Sequence, residues 1–124
     1  MNEQTFGNYL RSLRKKHDPS MTQEQLGQAI GRSKMTISQF EIGKNAPPQG
    51  ELLQKMIEAL CLTKEEADKL VFLSSEARRS LPADIETYFF ENPSICKAIR
   101  AAKETATGDS FWKELSERIE ARNG

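Results

Sequence analysis

Histidine and cysteine are scarce: one His and two Cys in 124 residues cannot supply the four side chains of a closed zinc site. No metal and no cofactor is expected, and Cys61 and Cys96, far apart in helical patterns, read as buried reduced thiols. A long apolar run is also missing, since nothing approaches the ~18 residues that would cross a bilayer. The stretch after Met1 lacks the basic and apolar segments of a secretory signal, so a cytoplasmic protein without a membrane partner is expected. Convincing apolar alternation and repeats of solenoid type are absent too, which argues against a sheet or a repeat array. Nor is there a net charge, because 18 basic residues balance 18 acidic ones. What is present is an ordinary globular composition, 37% hydrophobic and 29% charged, in patterns that are almost entirely helical.

The segment from Thr22 to Phe40, TQEQLGQAIGRSKMTISQF, predicts two short helices joined by a tight turn. Thr22 and Gln25, three apart, can satisfy each other's backbone N–H groups as a capping box. Leu26, Ala29 and Ile30 then place apolar side chains on one helical face. Gly31 supplies a left-handed stop, and Ser33 the next N-cap. In the second helix Ile37 and Phe40 are predicted to turn inward; Met35, Ser38 and Gln39 face the other way, with Lys34 at the edge. Gly27 costs roughly 1 kcal/mol against Ala in a helix interior, which predicts that another backbone passes close to it.

Around this segment Phe6, Tyr9, Leu10 and Leu13 predict a first helix that runs to about Lys16 before Pro19 breaks it. A turn from Asn45 to Gly50 leads to a helix marked by Leu52, Leu53, Met56, Ile57 and Leu60. Thr63 with Glu66 repeats the capping box and opens a fifth helix through Leu70 and Val71 to about Ala77. Beyond Leu81-Pro82, Ile85 to Glu91, Ile95 to Lys103 and Phe111 to Ala121 read as three more helices. Charge is unevenly spread: up to Pro48 seven Lys and Arg face four acids, +3, and the remainder holds 11 against 14, −3. A basic front would suit a polyanion, although so small an imbalance also occurs on surfaces with no such role.

Leu13-Arg14, Thr22-Gln23, Leu26-Gly27, Ile30-Gly31, Ile37, Phe40-Glu41, Gly43-Lys44 and Pro47-Pro48 stand in one register. In these positions the chain resembles the lambda-repressor-like and Cro-like regulators, also called the xenobiotic-response-element family. Two departures are visible. Asp18-Pro19-Ser20-Met21 replaces the usual Gly-Leu before the Thr-Gln pair and reads as a longer loop, and the common Ala is Gly27. The resemblance implies an all-α fold: a five-helix DNA-binding domain over residues 1–80, whose third helix enters the major groove. A helical extension over 81–124 follows. It also implies a cytoplasmic protein of bacterial or phage type that acts on double-stranded DNA as a homodimer.

The expected function is a sequence-specific transcriptional regulator, a repressor, with Lys34, Met35, Ser38 and Gln39 as base-reading residues. Lys34 sits in the first turn of its helix, where the dipole disfavours a cation by some tenths of a kcal/mol. A contact to guanine O6 and N7, or to a phosphate, would explain it; a solvated surface Lys is the plainer reading. Gln39 suits adenine N6 and N7, Met35 a thymine methyl, and Ser38 either kind of base. Gln23, Arg32, Ser33, Lys44 and Asn45 are the expected phosphate contacts, Ser33 serving mainly as a cap and Gln23 by resemblance. Resemblance also implies that Arg14 pairs with Glu41 as a structural ion pair. Ile95, Ile99, Phe111, Trp112, Leu115 and Ile119 form apolar stripes that either pack on their own domain or bind a second copy or another protein. The alternative function is a protein-interaction module, such as an antitoxin or adaptor, working through those last helices. An enzyme is not expected, because self-cleaving repressors add a strand-rich peptidase domain and the 42 residues after Pro82 look helical.

Overall fold

The computed structural model describes residues 4–123 and is all-helical over them. It comprises α1 (Phe6–Lys16), α2 (Gln23–Ile30), α3 (Lys34–Ile42), α4 (Gly50–Ala59), α5 (Lys64–Arg78), α6 (Ala83–Glu91), α7 (Ser94–Glu104) and α8 (Asp109–Asn123). The bounds lie within a few residues of those expected; α4 begins at Gly50, the last residue of the anticipated turn. Two compact units divide between Ala83 and Asp84.

In the first unit, local capping sets the helix starts. Thr5 Oγ1 accepts from Asn8 N at 3.1 Å ahead of α1, and both anticipated capping boxes form, Thr22 with Gln25 and Thr63 with Glu66. Each satisfies two backbone donors that a helix start would otherwise leave bare. The five helices then close on one core: Phe6, Leu10 and Leu13 from α1, Leu26 and Ile30 from α2, Ile37 and Phe40 from α3, Leu53, Met56 and Leu60 at α4, and Leu70 and Leu73 from α5. Ser74 in α5 donates to Pro48 O at 2.7 Å in a buried bond, fixing the segment between α3 and α4.

Two glycines mark where backbones approach. A Cβ on Gly7 would overlap the carbonyl oxygen of Glu41, so α1 can lie against the end of α3 only without a side chain there. At Gly27 a Cβ would stand 2.6 Å from Arg32 O, so the expected close backbone belongs to the turn just beyond α2. That approach turns the buried stripe of α2 toward Leu26, Gly27 and Ile30 and leaves Ala29 exposed, contrary to the apolar face expected of it.

The second unit holds α6, apart from its first residue, with α7 and α8. None of its described side chains is buried. Phe111 and Trp112 meet edge to face with centroids 5.0 Å apart, as do Phe89 and Phe90 at 5.3 Å. The thiols also depart from expectation: Cys61 is exposed and Cys96 half-buried. Cys61 follows α4 at a left-handed φ of 53°, in a turn where the chain reverses at the surface, and α7 has no core to take Cys96 in.

Candidate nucleic-acid interface

The turn between α2 and α3 is built by its own residues. Gly31 adopts φ 75°, Arg32 N donates to Gly27 O at 2.8 Å, and Ser33 Oγ accepts from Thr36 N at 3.1 Å to start α3. Ile37 and Phe40 are buried, which fixes the roll of α3 and leaves Lys34 and Met35 in solvent. Met35 is 68% exposed, and Ile42 near the other end of the helix is 71% exposed. Ser38 and Gln39, on the same outer side, are half-buried.

The underside of α3 is tied to α1 through a buried charge cluster. Arg14 Nε donates to Glu41 Oε2 at 2.7 Å and its Nη2 to Oε1 at 3.0 Å, a two-point pairing of guanidinium and carboxylate. Arg14 Nη1 donates in addition to Met21 O at 2.8 Å, which holds the loop before α2. Gln23, expected at a phosphate, joins the same cluster: its Nε2 donates to Glu41 Oε1 at 3.0 Å and keeps a second hydrogen for another acceptor. Glu41 is thus satisfied on both oxygens inside the protein.

The other expected backbone contacts lie around this platform. Arg32 is exposed and turns Nη1 to Gly31 O at 3.0 Å, and Lys44 is exposed beyond the end of α3. Asn45 Nδ2 donates to Gln39 Oε1 at 2.7 Å, so one expected phosphate ligand touches an expected base reader. Ser33 is the cap anticipated, with its Oγ also 3.0 Å from Thr36 Oγ1. Lys15, Thr22, Gln23 and Lys34 line one shallow depression at the start of α2, where the helix dipole adds positive potential. Lys15 was not singled out from the sequence; the basic run Arg14-Lys15-Lys16 at the end of α1 was the signal for it.

The apolar residues of the extension fall in the second unit. Ile95 and Ile99 are on α7; Phe111, Trp112, Leu115 and Ile119 are on α8. Ile99 and Trp112 are brought together along one groove with Ala102, Lys103 and Thr107, whereas Ile95, Phe111, Leu115 and Ile119 do not line it. Tyr88 and Phe90 on α6, which the sequence reading passed over, are the most exposed aromatics of this unit at 61% and 73%. Among the described residues no cluster of three His, Cys, Asp or Glu could hold a metal, and no helix is long and apolar enough to cross a membrane.

A family model described as a helix-turn-helix domain matches residues 5–70, more than half of the chain. No curated protein and no solved structure matches it.

Proposed function

The chain belongs to the helix-turn-helix domain family, and we propose that it is a sequence-specific regulator of the lambda-repressor and Cro type, a repressor that occupies an operator with α3 in the major groove. One observation carries this reading: the outer side of α3 bears Lys34, Met35, Ser38 and Gln39, while its inner side is locked by Ile37, Phe40 and the Arg14–Glu41 pair. A reading helix needs just this division, because base contacts discriminate only if the helix carrying them cannot roll. Gln23, Arg32, Ser33, Lys44 and Asn45 surround that side with groups able to donate to phosphates, and Lys15 adds another.

The regulator acts as a homodimer. Useful specificity over random DNA is about 4–10 kcal/mol, while each good base contact supplies about 1–3 kcal/mol. One short helix barely reaches that range, but two copies on half-sites roughly 34 Å apart do so. The exposed apolar residues of α6, α7 and α8 support self-association through the second unit.

Fluorescence anisotropy on duplexes from the region upstream of the coding sequence tests the reading, with wild type and Gln39→Ala at several salt concentrations. Binding should weaken steeply with salt, and the substitution should cost roughly 5- to 100-fold on the preferred duplex. Equal binding to scrambled DNA, or indifference to Gln39→Ala, would sink the assignment. Sedimentation at micromolar concentration tests the dimer, and a monomer both free and on DNA would refute it.

A further inference from the structure

Gln39 does not project freely from α3; Asn45 holds it at two levels. The Asn45 side-chain Nδ2 donates to Gln39 Oε1 at 2.7 Å, and the Asn45 backbone N–H donates to the Gln39 carbonyl at 3.3 Å. Lys44 N donates to the same carbonyl at 2.9 Å. This tether exists because Gly43, at φ 80°, turns the chain back over the last turn of α3. Gln39 is half-buried, which further narrows the swing of its amide.

A glutamine amide has an accepting edge and a donating edge, and a free one can use both, accepting from adenine N6 while donating to N7. Here one of the oxygen's two lone pairs is already taken by the Asn45 donor. The group left without a partner is Nε2, with two hydrogens. We propose that Asn45 is a positioning residue that sets the base preference of Gln39: it turns the donating edge outward and so selects a keto base, guanine or thymine, over an amino base. Guanine offers acceptors at both O6 and N7 and thymine offers O4, whereas cytosine presents only an amino group and adenine keeps N7 as its single acceptor beside an amino group that meets a donor with a donor. The inference rests on α3 being the reading helix and goes beyond it by naming the chemical class of base and the residue that decides it.

Binding-site selection from randomised duplexes tests this with the full chain as wild type, Gln39→Ala, Asn45→Ala and Asn45→Asp, each checked for unchanged helicity. The position read by Gln39 is the one whose preference disappears in Gln39→Ala. Wild type should favour guanine or thymine there by roughly tenfold. Asn45→Ala releases the amide and should flatten that position, or move it to adenine, while the rest of the site is unchanged. Asn45→Asp can only accept; it should capture Gln39 Nε2, turn the oxygen outward and shift the preference to adenine or cytosine. Adenine at that position in wild type, or an Asn45→Ala protein that binds every sequence more weakly with its preferences intact, overturns the proposal and leaves Asn45 a phosphate contact only. A wild type that enriches no sequence at all overturns the reading of α3, and this inference with it.

Discussion

The two units treat similar raw material differently. Both are made of short amphipathic helices, yet α1 to α5 enclose Leu10, Leu26, Ile37, Met56 and Leu70 completely, while α6, α7 and α8 leave every described side chain of their unit at least partly wet. Size accounts for much of this. The second unit has 41 residues against 83 in the first, and the share of its surface that a chain can bury falls with its size. An apolar stripe therefore says which face of a helix needs cover and is silent on what covers it.

The contrast can be broken most forcefully at the charge cluster. Arg14→Met leaves the Glu41 carboxylate, only 4% exposed in its side chain, without its guanidinium, and should cost about 3–5 kcal/mol of stability. Urea unfolding of the full chain should show it; a loss below 1 kcal/mol would mean that Gln23 alone can hold Glu41. Next in size, Leu26→Ala removes a side chain with no exposure and should cost about 2–5 kcal/mol. Phe90→Ala, at 73% exposure, should change monomer stability by no more than about 0.5 kcal/mol while weakening self-association in sedimentation. Equal destabilisation by the two would give the second unit a core after all.

The smallest effect concerns pH. Glu66 accepts from its own capping partner, Thr63 N, and from Lys16 Nζ at 2.9 Å, and in that order these bonds hold its carboxyl below the ordinary value of 4.5. Its contribution is complete above that ordinary value and is lost as pH falls through the lowered folded one. Glu66→Gln should be less stable than wild type at pH 7, with the gap closing on acidification, as melting followed by circular dichroism would show. A gap that is constant from pH 7 to about 3 would mean the pair is solvated. The partner lysine is shifted up for the same reason, chiefly by its hydrogen bond to Glu66, and Tyr9 is raised mainly by burial.

What could be read from the sequence was decided within a few residues of itself. Thr22 with Gln25, Gly31, Ser33 and Thr63 with Glu66 act across one turn of helix, so spacing alone predicts the starts of α2, α3 and α5 and the stop of α2. Resemblance supplied the Arg14–Glu41 pair; no periodicity joins residues 27 apart. Gln23 on Glu41, Ser74 on Pro48 and the Gly7 crossing escaped because each depends on how separate helices meet. Ala29 and the two thiols went wrong for a related reason: burial follows the neighbouring surface, and composition records only a preference. At the candidate interface the outer side of α3 was legible, whereas the hold of Asn45 on Gln39 depends on the fold-back at Gly43.

Trp112, edge to face with Phe111, is the chain's single tryptophan and belongs to the second unit. Light absorbed selectively by indole is therefore emitted only from the unit that lacks an interior. A blue shift on raising protein concentration would register that aromatic pair acquiring a covering, and the same signal is blind to Leu10, Leu26 and the rest of the closed core. Far-ultraviolet dichroism weights the helices of both units by length, eight of them among the described residues. The molecule thus carries an optical label that separates assembly from folding without any dye being attached.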